Sequence, residues 1–432
     1  MIIEQIIEKA SQKAQGVQAL LLTQETSAVD FDNDRLKSAQ SSQRTQIEVK
    51  VILDGKVGIS TTTDLRDIDG VVNRALEAAE FGSPAHFELP EAQALETVKI
   101  YDPALLPLQK PEMIRMGQQM MDMIKTYNPE ILAGAAVYKT ISRVEYANSR
   151  GVHYSADHTD FQVSTGGQLT RGTDILFVSQ SLGQKKRSVD TEEMATQAIE
   201  YFRMAENIAP IQSGDMPVIF TPKGFIALLL SLGLAVDGKS VYLGASPLRD
   251  KLGQQIASPN LTLIDDPFVE YGPNTGAFDN EGVPRKVNPI IEKGVLRNFV
   301  YDLDTAGRVG AKPTGHGSSR SLTNLVVQPG NLPYEAMLRN IKSGLLVHEF
   351  LGLGQGNPIN GEFSVNLFLG YKIENGKLVG RVKNTMLAGN AFAALRDITA
   401  ISREREWVSG PYSWFSGLFP YIQVGKLSVT AK

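Results

Sequence analysis

QIEVKVILDGKVGISTTTDLRDIDGVVNRALEAAEF, residues 46–81, reads as two β-rich runs closed by a tight turn and followed by a helix. Gln46 to Leu53 and Val57 to Thr62 are rich in β-branched residues. Between them Asp54-Gly55-Lys56 supplies the turn chemistry of a hairpin. From Asp64 to Phe81 the period changes, and Val71, Val72, Ala75, Ala78 and Ala79 recur at helical spacing. Upstream, Ile2, Ile3, Ile6, Ile7 and Ala10 form one stripe of an amphipathic helix ending near Gly16, and Val17 to Leu22 reads as a strand. Helix, strands and helix within one short unit predict an α+β fold.

The same grammar repeats downstream. Residues 84–110 hold Pro84, Pro90, Pro103 and Pro107 with few periodic apolar positions, as in a linker or an extended crossing segment. Pro111 to Lys125 is a helix rich in methionine (Met113, Met116, Met120, Met121, Met123), a pattern that suits core filling more than a binding face. Ile131 to Ser179 reads as successive strands with turns at Asn148, Gly151 and Gly166-Gly167, and Asp190 caps a helix running to about Ala205. After a break at Pro210 to Pro217, Val218 to Phe220 is a short strand. Thr221-Pro222 opens an apolar helix over 223–237, and many short strands follow with hairpin turns at Lys293-Gly294 and Asn375-Gly376. The expected organisation is mixed α/β units at 1–83 and 111–209, a linker at 84–110, and a larger β-rich domain over 210–432.

At 432 residues the chain is long for one core. Basic residues number 43 against 47 acidic, a net charge of −4 that disfavours a nucleic-acid binder, which needs a basic face. The run Lys185-Lys186-Arg187 reads as a solvated turn. Cysteine is absent, which excludes disulfides and thiolate chemistry and fits a reducing, cytoplasmic compartment. The longest apolar stretch, Phe225 to Val236, is too short to span a bilayer, so no membrane partner is expected.

The blocks TLIDDPFVEYGPNTGAFDNEGVP (262–284), IIEKGVLRNFVYDLDTAGRVG (290–310), TGHGSSRSLTNLVVQPG (314–330), GNPINGEFSVN (356–366) and IENGKLVGRVKNTMLAGN (373–390) resemble the TldD/PmbA family. VILDGKVGISTTTDL (51–65) and SRGVHYSADHTDFQVST (149–165) fit it more loosely. The resemblance implies two kinds of paralogous subunit. The TldD type holds zinc through a His-Glu-x-x-x-His helix and a cysteine; the PmbA type, also called TldE, lacks them and pairs with the first to enclose a protease site. Its members are also described as modulators of DNA gyrase. Here the corresponding helix reads KGFIALLLSLGLAVD (223–237), with neither His nor Glu. The resemblance therefore implies a PmbA/TldE-type subunit, inactive alone, with no metal or cofactor of its own. Zinc is expected only in a TldD-like partner, with peptides as substrate and a homodimer forming in isolation.

Five histidines exist: His86, His153, His158, His316 and His348. His348-Glu349 begins like a zinc motif, but Gly352 and Leu353 stand where a second histidine is needed. Asp265-Asp266, Asp279 and Glu281 match no calcium loop and read as turn caps. His316 lies among glycines and serines without a Gly-x-Ser-x-Gly elbow. The catalytic candidates are His316, His348 and Glu349, acting in a stand-alone hydrolase. If the chain binds peptide instead, the glycine-rich loops 314–320 and 352–361 should line one cavity, with His316, Gly317, Asn324, Gly354 and Asn357 as contacts. A third reading is a peptide-binding assembly protein without turnover. The aromatic tail (Trp407, Tyr412, Trp414, Phe415, Phe419, Tyr421) is either core or a subunit interface.

Overall fold

The computed structural model describes residues 2–354, 356–410 and 415–431. In chain order the first half holds α1 (Ile2–Ala10), β1 (Gly16–Asp32), β2 (Arg35–Leu53), β3 (Lys56–Thr62), α2 (Ile68–Glu80), α3 (Lys110–Tyr127), β4 (Leu132–Asn148), β5 (His153–Arg171), β6 (Asp174–Gln184) and α4 (Thr191–Ala205). The second half holds β7 (Gly214–Phe220), α5 (Ile226–Val236), α6 (Gly238–Tyr242), β8 (Leu263–Asp265), β9 (Asn288–Glu292), β10 (Val295–Leu296), α7 (Leu303–Val309), β11 (Asn324–Val327), α8 (Tyr334–Arg339), β12 (Ser343–Leu351), β13 (Glu362–Glu374), β14 (Lys377–Arg381), β15 (Thr385–Asn390), α9 (Ala391–Arg396), β16 (Ile398–Val408) and β17 (Ser416–Ala431). The architecture is α+β, as expected.

The stretches 1–83 and 111–209 contribute three strands each to one antiparallel sheet of order β3-β2-β1-β4-β5-β6, joined where β1 pairs β4 from Gln18–Asn148 to Phe31–Ala135. The β2–β3 turn sits at Asp54-Gly55, both residues at positive φ, as the sequence predicts. Asn33-Asp34, also at positive φ, makes the same kind of turn between β1 and β2. Gly166-Gly167 is not a turn. The pair lies inside β5, where a Cβ on Gly166 would sit 2.0 Å from Val178 O and one on Gly167 2.6 Å from Leu132 O. Close strand approach, not reversal, requires these glycines.

Side chains alternate across each strand, and this sorts the two faces of the sheet. Val17 and Ala19 pack under α1 and α2, while Val29 and Phe31, further along the same face, pack under α3 and α4. Met113, Met120 and Met121 of α3 are buried in that second core, as predicted. The opposite face receives a loop from the second half at one end. There Tyr146 Oη donates to Glu281 O at 2.8 Å, and buried Lys50 pairs with buried Glu281 at 3.1 Å. Gly282, at positive φ, lies flat on the Tyr146 ring, where a Cβ would meet ring carbons at 2.3 Å. Segment 84–110 is pinned along its course: Asn148 Nδ2 donates to Pro90 O, Thr159 N to Ile100 O and Lys139 Nζ to Leu108 O.

The second sheet runs β10-β9-β8-β11-β17-β15-β13-β12-β7, with β14 on β13 and β16 on β17. Its one face packs on α5 and α9. The other presents Ile219, Leu346, Leu369, Tyr371 and Ile373 to α3 and α4, so these two helices form a layer shared by both sheets. β17 pairs with β11, β15, β16 and β7. Thr221 Oγ1 accepts from Gly224 N, capping the turn that leads into α5. After the Lys293-Gly294 turn β10 is only Val295–Leu296, because the chain then crosses to α5, where Val300 N bonds Val236 O.

Candidate functional site

Between the open face of the first sheet and the rim of the second lies a cleft of about 350 Å³. Asp160 and Gln162 of β5, Gly183 and Gln184 of β6, Asn274, Ser321, Leu322 and Phe415 line it. Alternation places the β5 side chains here, on the face that α1–α4 leave uncovered. Asp160 is held by buried Lys185 at 3.1 Å. Behind it, burial and then the Lys185 charge press the His158 imidazole down to about 4, so it is neutral at physiological pH. Asn274 is fixed by Asn324 Oδ1, which accepts from its backbone N–H at 3.0 Å, and by Thr323 O, which accepts from its Nδ2 at 2.9 Å. α5 borders this wall: a Cβ on Gly233 would sit 2.8 Å from the Phe415 ring, so glycine lets the helix touch it. Mid-sized and mostly polar, the cleft suits a hydrogen-bonded ligand such as an extended chain. A larger open groove of about 780 Å³ between α3 and α4 is lined by Arg115, Met123, Tyr127, Ile199 and Arg203. Its Tyr127 and Arg203 are engaged by Glu206 and Glu200.

His316 is buried, with both ring nitrogens engaged. Nε2 lies 2.6 Å from Asp265 Oδ2 and Nδ1 lies 2.8 Å from Thr314 Oγ1. Asp265 Oδ1 accepts from Thr323 N and Oγ1. No edge of the ring is left for a substrate. The role expected of His316 in catalysis or peptide contact is therefore corrected to loop bracing. Gly317 N donates to Asp279, which also accepts from Glu281 N and Val283 N. Burial, reinforced by Glu281, outweighs these bonds and pushes the Asp279 carboxyl up to about 6. Asn324 is fully buried, and its Nδ2 serves Asp266 O and Thr275 Oγ1. It supports the cleft through Asn274 rather than facing a ligand.

His348 occupies a β-bulge in β12, where the register skips from Val347 to Glu349. Such bulges re-aim side chains. The ring turns toward α4, stacks on Tyr201 at 4.0 Å and places Nδ1 3.0 Å from Thr221 Oγ1; Nε2 is buried without a partner. Burial, with Lys223 beside it, holds the imidazole well below its ordinary range and therefore neutral. Glu349 pairs with Lys223 at 3.1 Å, and Lys223 reaches across to Ser179 O of β6 at 3.1 Å. Asp265 follows Leu263 on the α5 side of its sheet, whereas His348 lies on the α4 side. The single cavity expected to hold both histidines is thus corrected. The two glycine-rich loops do meet one helix: Gly354 lies against Leu230, and Arg320 pairs with Asp237 at 2.6 Å. These positions are two turns apart on one side of α5, about 10 Å. Asn357 is exposed on the second loop. Tyr412 and Trp414 lie outside the described residues.

The residues of α5 do not fit a zinc ion. Ile226, Ala227, Leu228, Leu229 and Leu230 occupy consecutive buried positions, and no side chain of the helix is a ligand type. Among the described residues no group of three or more His, Cys, Asp or Glu could hold a metal.

A family model described as the PmbA/TldA metallopeptidase C-terminal domain matches residues 213–431, and one for PmbA/TldA metallopeptidase domain 1 matches residues 18–79. The chain belongs to the TldD/PmbA family. It is 25% identical over 411 residues to an uncharacterised protein of Methanocaldococcus jannaschii, covering 92% of this chain and 94% of that one. It is 31% identical over 206 residues to metalloprotease PmbA of Escherichia coli O157:H7, covering 47% and 45%. TldE from Thermococcus kodakarensis shares the fold with a TM-score of 0.92 at 21% identity over 100% of both chains. A Thermotoga maritima protein described as a modulator of a DNA gyrase does so with 0.91 at 23% identity over 99% of both. No helix is long and apolar enough to cross a membrane among the described residues.

The cleft escaped sequence reading because its wall is assembled from β5, β6 and three loops up to some 250 residues away. Only the glycine pair at 183 and 410 and the polar β5 face hint at it.

Proposed function

We propose that this chain is a non-catalytic PmbA/TldE-type subunit that supplies one wall of a peptide-accepting cleft. A TldD-like partner would contribute zinc and the residues that hydrolyse the peptide. The observation that carries this reading is α5. On the family resemblance this helix stands where a TldD-type subunit has its His-Glu-x-x-x-His. Here it is apolar and buried, yet its Gly233 borders the polar cleft. His316 and Asn324 brace the wall, Asn274 and Gln162 face the cleft, and the loop bearing Gly354 and Asn357 reaches the same helix at Leu230. A peptide would be held through its backbone by uncharged donors and acceptors, which tolerates many sequences. The absence of cysteine supports a cytoplasmic setting.

The test is purification from the native host, then metal analysis and a peptidase assay with and without what co-purifies. The isolated chain should carry no stoichiometric zinc and cleave nothing, and activity should appear only with the TldD-like subunit. Zinc at one equivalent in the isolated chain would sink this reading.

A further inference from the structure

Beyond Lys223, on the α4 side of the second sheet, three tyrosines converge on one carboxylate. Tyr334 of α8 stacks on Tyr421 of β17 with centroids 4.1 Å apart, and Tyr421 Oη donates to Glu406 Oε1 at 3.0 Å. Tyr201 of α4 is stacked from behind by His348, and its backbone carbonyl accepts from Tyr371 Oη at 3.1 Å. Burial, and after it the nearby Glu406 carboxylate and the phenols of Tyr371 and Tyr334, push the Tyr201 phenol well above its ordinary range. Tyr201, Tyr334 and Tyr421 are partly exposed; Glu406 reaches the surface, although burial among the rings raises its carboxyl above the ordinary range. The four therefore form a recess rather than a sealed core.

The charges around this recess do not balance. Glu349 is matched by Lys223. The basic residues next to Glu406 in sequence are turned elsewhere: Arg403 pairs with Glu404, and Arg405 donates to Val327 O. Among the described residues no cation pairs with Glu406; its one hydrogen bond is from Tyr421. Tyrosine faces attract cations through the ring quadrupole, and a carboxylate beside them adds a full charge. Aromatic rings grouped around an unpaired carboxylate are the chemistry of an ammonium site.

We propose that Tyr201, Tyr334, Tyr421 and Glu406 form a recess that takes the ammonium group of a lysine side chain on a captured peptide. Lys223 links the recess to the cleft, since it bridges Glu349 on the recess side and Ser179 of β6, four residues before Gly183 at the cleft wall. The peptide as source of the lysine rests on the function proposed above; the cation site itself does not.

Two measurements separate them. The first titrates the isolated full-length chain with N-acetyl-lysine methylamide and with its uncharged counterpart N-acetyl-norleucine methylamide, following the tyrosine resonances by NMR. The lysine compound should bind about tenfold tighter. Glu406→Gln, which keeps the shape, should abolish the preference with an unchanged melting curve. Tyr421→Phe should keep most of it, because the ring face remains. Equal binding of the two compounds, or a preference that survives in Glu406→Gln, overturns the recess and leaves the proposed function standing. The second measurement offers the assembled complex paired peptides with lysine or norleucine at one position. Preferred capture of the lysine peptide supports the full proposal. If the isolated chain binds the lysine compound but the complex captures neither peptide, the peptide-subunit reading fails instead.

Discussion

Asp279 shows how one residue can carry two opposing demands. It ties two backbone N–H groups of its own loop, at Glu281 and Val283, to that of Gly317 in the neighbouring loop, yet burial raises its carboxyl to about 6. A carboxyl raised in the folded state favours the protonated form. Its contribution is fully present below the unfolded value of 3.8 and is lost as pH rises through about 6. Wild type measured against Asp279→Asn should therefore lose about 2–4 kcal/mol of relative stability between pH 4 and pH 7. Denaturant titrations of both at several pH values check this, and parallel curves would refute it. His316→Ala should cost about 1–3 kcal/mol, because Asp265 stays buried with one partner removed, and should leave metal content unchanged. The sequence marks His316 as special through its glycine neighbours. It cannot reveal Asp265, 51 residues away, as the group that fills the ring's last hydrogen bond.

Among the elements, turn chemistry was the most legible signal. Asp54-Gly55, Lys293-Gly294 and Asn375-Gly376 all adopt the positive φ angles that their composition demands. The lengths of β1 and β2 were not legible. In the middle of β1 and over the first half of β2 the helical layers leave the sheet uncovered, so neither face there needs to be apolar and the alternation fades. Helix α5 was legible as apolar, but not its role as a wall, since that depends on Phe415 and Leu322 arriving from elsewhere. Truncating Leu229, nearly fully buried, to Ala should cost about 2–5 kcal/mol in a denaturant melt without altering metal content. Gly282→Ala should weaken the docking of the 278–285 loop more than its size suggests. It adds a Cβ against Tyr146 at a positive φ, and proteolysis near that loop should accelerate.

At the level of the whole molecule, the two sheets are held by α3 and α4 between them and by the buried Lys50–Glu281 pair. Lys50→Met strands Glu281 in the interior and should destabilise the protein by about 3–5 kcal/mol, whereas replacing both partners with apolar residues should recover most of the loss. If the chain is half of an assembly, it should sediment alone as a dimer burying more than about 1,000 Å². A monomer at micromolar concentration would count against this.

The path of β17 has a consequence for biosynthesis. Ala431 bonds Ser213 across 218 positions, and β17, which ends there, closes the second sheet against four other strands. At ordinary rates of translation β7 waits roughly 10–45 s for that partner. During this interval α5, apolar on nearly every side, has only an incomplete sheet to cover it, without Phe419, Ile422 and Val424 of β17. Ribosomes stalled near codon 400 should therefore carry a nascent chain that resists protease across the first sheet but is cut around 214–236. Such a chain is a natural client for a chaperone waiting at the exit tunnel.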